Sequence, residues 1–397
     1  MIVSNPKADD AVEAALQGSP GTPRQPSLDL DRHWRSPPDR VTLSPAYRQV
    51  DVDGAAVVEI ALGDHRLRLD QPVLLEPEIV PKPWGREIWH TGIEARGESR
   101  VRTNAGTLPV SQYLTLAPQR LTGSLPLVLL KILDPRPEPV LGDLYFETHE
   151  RKQEVYVVTH VDPEAWPDGR GRIRFGMNQA LRARYGDDDR FRADYLEAVR
   201  RYERVRRAID AGEAVPDGDE AARRAAMEAF TELRELAVGD VVVVPTWLPH
   251  SLQHGVRVIE FQTPTYERYI ISFAQRVLTQ NHWDTDKAVA NMRLDAPPPP
   301  RFDAPAAGIE RIVGFDDFRA WRMTLAAGES RLLPAHPGYL LCMAVTGRVG
   351  LDGLALDPEQ AAFVPGEALR GPRREHSARL RNDGSEPAVL LIAAPDL

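Results

Sequence analysis

The chain has 397 residues, long enough for two or three domains, and its 42% apolar content suits a globular protein with a sizeable core. Its net charge is −9, with acids and bases mixed along the chain, which argues against a nucleic-acid-binding surface. No uncharged apolar run reaches the ~18 residues needed to span a bilayer, so no membrane partner is expected. The single cysteine, Cys342, rules out an internal disulfide and fits a reducing compartment. The first residues lack the basic segment followed by an apolar run of a secretory signal, so the cytoplasm is the expected location. Of the 49 basic residues only Lys7, Lys82, Lys131, Lys152 and Lys287 are lysines. A lysine inside a motif is therefore informative, because a buried lysine can lose its proton and an arginine cannot.

Residues 1–40 are rich in Pro, Asp, Ser and Arg without sustained periodicity, and read as an irregular segment. Residues 47–62 alternate around Asp53-Gly54, which predicts a β-hairpin turn, and a short strand follows at His65–Leu69. Pro126–Leu133 reads as a buried strand carrying one lysine. Over residues 188–211 the period changes. Phe191, Tyr195, Leu196, Val199, Tyr202, Val205 and Ile209 fall at steps of three and four, the mark of an amphipathic helix. Gly212 and Pro216 end it, and a second helix is predicted from Asp219 to Leu236, with Ala226, Met227, Phe230 and Leu233 on one stripe. Strand character resumes at Gly239. Residues 269–292 read as helical or irregular, and Ala296–Arg301 is a Pro-rich linker before more short strands.

Two segments carry chemistry. Gly142–Glu154 reads GDLYFETHERKQE, and Glu147 and His149, two apart, project from one face of a strand. Glu154 lies five residues on, within reach if the chain bends. Gly239–His254 reads GDVVVVPTWLPHSLQH: a glycine turn, a buried strand, a proline-limited bend, then His250. Two imidazoles and two carboxylates converging in a barrel suit one divalent ion such as zinc, iron, manganese or nickel. Taken singly, His149 and His250 also read as core histidines; the joint pattern favours ligands. His254, Gln262 and Tyr266 either line the mouth of this barrel or serve its structure.

These segments resemble the two motifs of the cupin superfamily, carried here by Gly142, Glu147, His149 and Glu154, then Gly239, Pro245 and His250. Glu147 stands at the usual first histidine, and Trp247 at the usual second glycine. Pro126–His149 further resembles type I mannose-6-phosphate isomerases, which run from a lysine strand into the metal motif. In that family a glutamine stands at the position of Glu147 and a serine at that of Tyr145. Lys131 falls at an active-site lysine and Lys152 where some members carry a second. Val256–Arg268 resembles the segment ending in a catalytic arginine, here Arg268, and Pro83–Trp89 an early Trp-Gly motif. The loop from His149 to Glu154 is shorter than the family's, and Glu267 interrupts the run before Arg268.

The resemblance implies a mostly β fold of two cupin jelly-roll domains. These would be a metal-binding domain over 41–295, with a helical insertion at about 163–236, and a second domain over 309–397, joined by a linker at 296–308. Gly347 and Pro365 sit at cupin-like positions in the second, which lacks a His-x-His pair and is expected to be metal-free; His336 and His376 are isolated there. The resemblance also implies one divalent ion, zinc first, with iron, manganese, cobalt and nickel as other candidates, held by Glu147, His149, Glu154 and His250. Arg268, Lys131 and Lys152 would be the catalytic residues of an aldose–ketose isomerase acting on a sugar or sugar phosphate through an enediol. From the residues alone, the alternative for Arg268 is a salt bridge to Glu267 or Glu260, and for Lys131 a pairing with Glu147 or Asp134. Another metal-dependent cupin enzyme, such as a free-sugar isomerase or epimerase or an iron-dependent oxygenase, and a non-catalytic sugar-sensing cupin stay open. The helical pair is expected to cover part of the barrel mouth. Lys131, Lys152 and Arg268 against the acids left after metal binding give only a slight positive excess for a phosphate.

Overall fold

A computed structural model describes residues 4–17, 44–52, 54–94, 96–370 and 378–396. The chain is strand-rich, as expected, and separates into two compact units. One draws on residues 1–80, 88–131 and 301–397; the other on 81–87 and 132–300. This corrects the contiguous division at a linker. The strand Val73–Glu76 pairs with Ala361–Val364, Leu75 opposite Ala361, and with Arg100–Thr103, Leu75 opposite Val101. Sheet pairing thus commits the early strands to the C-terminal unit, a long-range choice that local pattern does not reveal.

In the first unit a nine-stranded sheet runs in the order Gly106–Pro109, Arg100–Thr103, Val73–Glu76, Ala361–Val364, Leu340–Thr346, Ala388–Pro395, Phe318–Leu325, Ile309–Gly314, Asp303–Ala306. A four-stranded sheet, Ser330–Leu332, Arg379–Asn382, Val349–Leu351, Leu354–Leu356, completes it. Leu340, Cys342, Val349, Leu380 and Leu390 lie in its apolar core, and burial pushes the Cys342 thiol up to about 12, an inert form. His336 accepts the Gly338 N–H at 3.0 Å; His376 lies outside the described residues. The expected hairpin pairing is present: Val52 pairs with Ala55, and Gly54 before it takes a positive φ of 79°, while Asp53 lies outside the described residues.

The expectation of an irregular segment over 1–40 is corrected in part. Pro6–Leu16 is a helix, with Pro6 in its first turn and the Asn5 side chain accepting the Ala8 N–H at 3.4 Å. Its buried stripe is Ala8, Ala11, Val12 and Ala15. Alanines give little hydrophobic contrast, so the period is faint in the sequence. Residues 18–43 lie outside the described residues.

The second unit is built on two sheets. One has the order Val241–Val244, Glu154–Val161, Val256–Gln262, Leu129–Pro135, Gly85–Trp89, Glu78–Lys82, its last three strands carrying the chain between units. The other runs Thr231–Leu236, Gly171–Met177, His250–Leu252, Phe146–Thr148, Tyr269–Ser272. Tyr269–Ser272 corrects the helical or irregular reading of 269–292. This four-residue strand, too short for periodicity to register, pairs with the Glu147 strand, and only Thr285–Asn291 is helical in that stretch.

The helices Gln179–Tyr185, Asp188–Asp210 and Asp219–Glu228 form an excursion between Gly171–Met177 and Thr231–Leu236, which pair with each other. Asp187 caps the long helix, and Phe191, Tyr195, Val199 and Tyr202 are its buried stripe, as the period predicts. The last helix stops at Glu228 instead of Leu236. Leu233 continues the helical spacing of Met227 and Phe230 but lies in a strand and is 45% exposed.

The lid expectation is also overturned. Phe146 and Ser251 line a small cavity of about 30 Å³ together with Tyr202 and Met227 of the helices. Strand alternation sends the neighbouring Glu147 and His250 to the opposite face. The helices therefore back the outer face of the sheet. Arg174 bridges to Glu228 there at 2.7 Å, and burial raises the Glu228 pKa despite this partner. Phe191→Ala should accordingly destabilise the protein by about 3–5 kcal/mol, whereas Leu233→Ala should stay within about 0.5 kcal/mol. Denaturant midpoints of the two variants check this, and equal effects would contradict the packing described.

Candidate metal centre

The site begins with one register. Glu147 pairs with His250 across the strands Phe146–Thr148 and His250–Leu252, which puts both motifs on one sheet. His149 follows two residues after Glu147. Gly142 precedes them at a point where a Cβ would run into the Arg136 carbonyl oxygen, and Gly239 turns with φ 91° while its N–H donates to Val158 at 2.8 Å. Glu154 opens the next strand, opposite Gln262.

One donor atom from each of Glu147, His149 and His250 lies within 4.8 Å of the others. His149 Nε2 is 3.7 Å from Glu147 Oε1 and 3.6 Å from Glu154 Oε2, and His250 Nε2 is 3.1 Å from the same Glu154 oxygen. Bonds of 2.0–2.1 Å in a tetrahedron imply ligand–ligand edges of about 3.3 Å. The mutually close trio is Glu147, His149 and His250; Glu154 adjoins it through both histidines.

The hydrogen bonds leave lone pairs facing inward. His250 Nδ1–H donates to the Leu248 carbonyl at 2.9 Å, which fixes the ring with its Nε2 toward Glu154 Oε2 at 3.1 Å. Both ring nitrogens of His149 and Oε2 of Glu147 are buried without a hydrogen-bond partner. Such orphaned polar atoms are costly, and a cation would satisfy the carboxylate oxygen and the unprotonated ring nitrogen. Burial first, then Lys152, pushes the His149 pKa down to about 4, so the ring is neutral and able to coordinate at neutral pH. Burial opposes the charge on Glu154, but Lys152 and the histidines outweigh it and hold this carboxyl well below its ordinary range. Lys152 Nζ is 2.5 Å from Glu154 Oε1, and the Tyr156 hydroxyl donates to Oε2 at 2.6 Å. The donor set therefore fits a divalent ion.

Sequence reasoning missed Tyr156. Its signal is the period-2 spacing from Glu154, which puts both on one face of the strand, with Tyr156 opposite the buried Glu260. It also missed what Trp247 does. This residue adopts a left-handed φ of 60°, which explains why glycine is usual there. Its N–H donates to the His149 carbonyl at 2.6 Å, tying the two motifs together. Its ring stacks on Tyr269 at 5.6 Å and 7°, and Lys287 Nζ lies 4.1 Å from the Tyr269 ring centre.

The remaining candidates divide. Arg268 lies 4.4 Å over the ring of Tyr145 and donates to the Thr279 hydroxyl at 2.7 Å. Glu267 accepts the backbone N–H groups of Glu150 and Arg151 and pairs with the Arg151 guanidinium at 3.0 Å. Lys131 is buried in Leu129–Pro135, at the residue where the first unit's segment ends. His254 bonds Asp143 at 2.7 Å and stacks on Trp166 at 4.6 Å, a structural arrangement. Gln262 donates to the carbonyls of Thr263 and Thr265, and Tyr266 is exposed.

No family model and no curated protein matches this sequence. Solved structures do match the fold. The mannose 6-phosphate isomerase of Bacillus subtilis aligns with a TM-score of 0.56 at 15% identity, over 81% of this chain and 99% of its own. An arginine-to-alanine mutant of phosphomannose isomerase from Salmonella typhimurium gives 0.59 at 14%, over 82% and 100%. A zinc-bound mannose 6-phosphate isomerase gives 0.59 at 13%, over 82% and 100%. The chain thus has a cupin-type fold. Within that class, it is the fold of the type I mannose-6-phosphate isomerases.

Tyr156→Phe removes one hydroxyl and one donor to Glu154. It should weaken zinc binding about 10–100-fold and leave the metal-free fold intact, as read by competition with a chromophoric chelator and by circular dichroism. Unchanged affinity would show that the hydroxyl does not orient the carboxylate.

Proposed function

We propose that this chain is a metal-dependent aldose–ketose isomerase of the mannose-6-phosphate isomerase type, acting on a small sugar or sugar phosphate in the cytoplasm. The observation that carries the reading is the inward convergence of unpartnered, buried donors on Glu147 and His149 beside His250 and Glu154, in a fold shared with a zinc-bound isomerase. The metal would be held by Glu147, His149, Glu154 and His250, with zinc first and iron, manganese, cobalt or nickel as alternatives. No helix among the described residues is long and apolar enough to cross a membrane.

Aldose–ketose isomerisation moves one proton between adjacent carbons through an enediol, with no external oxidant. A bound divalent ion supplies Lewis acidity toward the carbonyl and neighbouring hydroxyl oxygens. His149 enters that arrangement as a neutral ring, so no proton need leave it first. Lys152 balances one of the two carboxylates and keeps Glu154 charged and oriented. Arg268, 4.4 Å from the Tyr145 ring centre, is the proposed donor to a substrate oxygen on which negative charge gathers. Lys131 is proposed as a further contact to substrate oxygens.

One observation favours a second reading. Glu147, His149 and His250 alone are two histidines and one carboxylate, a set that also suits iron-dependent oxygen chemistry. Metal analysis of the purified protein, with aldose–ketose assays and oxygen-uptake measurements, separates the two. The isomerase reading expects turnover on the order of 1–10³ per second without oxygen consumption, lost in Arg268→Ala at unchanged metal content. Iron-dependent oxygen uptake without isomerisation would overturn it.

A further inference from the structure

We infer that the substrate of this site is an unphosphorylated sugar; the inference rests on the isomerase reading above. A phosphate dianion is normally captured by several converging cationic or backbone N–H donors. Here the cations near the ligand segments are already matched by carboxylates. Lys152 holds Glu154 at 2.5 Å, and Lys82 holds Glu87 at 3.1 Å with both side chains largely buried. Arg151 pairs with Glu267 at 3.0 Å, and Lys287 with Glu150 at 2.8 Å. Glu150 directly follows the ligand His149, so a carboxylate stands on the chain beside it.

Arg268 is the exception in kind. Its contacts are the Tyr145 ring and the Thr279 hydroxyl, both neutral. One guanidinium, beside an aromatic ring and with its Nη2 donating to Thr279, can stabilise one developing negative charge. It does not make a dianion cradle. Counting Lys131 too, the bases Lys82, Lys131, Arg151, Lys152, Arg268 and Lys287 are equal in number to the acids Glu87, Glu147, Glu150, Glu154, Glu260 and Glu267. A divalent ion then leaves a surplus of two positive charges, which an enediolate draws on as it forms. A phosphate dianion would consume that surplus before the reaction began. To bind, it would have to displace Glu150 or Glu267 from a cation that already has a partner, while lying close to both. A neutral polyol meets no such cost, and its hydroxyls can donate to the carboxylates.

The test uses the full chain loaded with zinc, cobalt or manganese. Initial rates are measured on free mannose, fructose and related aldose–ketose pairs and on their 6-phosphates. Binding of sorbitol and sorbitol 6-phosphate, which cannot isomerise, is measured by calorimetry. The expected result is kcat/KM and affinity for the free forms at least about tenfold above those of the phosphate esters. Replacing Glu267, which holds no proposed ligand or substrate, by glutamine (Glu267→Gln) should narrow that gap about three- to tenfold by removing one like charge. Phosphate esters that are the better substrates would overturn the inference and leave the isomerase reading standing. A metal-loaded protein that neither turns over nor binds either form would overturn both. Binding of the free sugar without turnover would uphold the ligand class and remove the isomerase reading.

Discussion

The pairing of Glu147 with His250 across two three-residue strands is the constraint on which the site depends. Strand side chains alternate with a period of two, so this register decides at once which face carries the donors and which carries Phe146 and Ser251. A slip of one residue would send Glu147 and His250 into the apolar packing of the helices and bring apolar groups inward. The strands are too short to hold that register by themselves. Tyr269–Ser272 extends the sheet beside Glu147, and Gly171–Met177 pairs with the other edge of His250–Leu252. The helical excursion then seals the outer face with Phe191, Tyr195, Val199 and Tyr202. The helices are thus structural supports for the face that carries Glu147 and His250 rather than a cover over it.

Trp247 shows a cost accepted at this junction. A bulky residue at φ 60° carries backbone strain of about 1–3 kcal/mol. The compensation is local: its N–H reaches the His149 carbonyl, its carbonyl accepts the Arg293 N–H at 2.7 Å, and its ring lies flat on Tyr269. The result ties the bend before His250 directly to the end of the other ligand segment. Electrostatics completes the arrangement, since burial keeps His149 neutral while Lys152 and Tyr156 hold Glu154 as an oriented anion.

The convergence of Glu147, His149 and His250 was legible in the sequence because the pattern is local. Glu147 and His149 are two apart, Gly239 and Pro245 frame a strand, and His250 follows. The long helix was legible because large apolar residues mark its stripe. The rest depends on contacts distant in sequence. The commitment of Val73–Glu76 to Ala361–Val364 cannot be seen from either segment alone. The helical spacing that runs through Leu233 is cut short when Thr231–Leu236 pairs with Gly171–Met177. The side of the sheet on which the helices lie follows from the alternation of Phe146 with Glu147, which the sequence contains but does not orient. Tyr156 resembled an ordinary strand tyrosine until its hydroxyl was seen 2.6 Å from Glu154.

The central claim is that Glu147, His149, Glu154 and His250 form a single metal-binding unit. Calorimetric titration of zinc into the metal-free full chain, alongside the His149→Ala/His250→Ala double variant, tests it most directly. The account predicts about one equivalent bound by the native chain and none at that affinity by the variant, with the strand-rich far-ultraviolet spectrum preserved in both. A full equivalent retained by the double variant would contradict it.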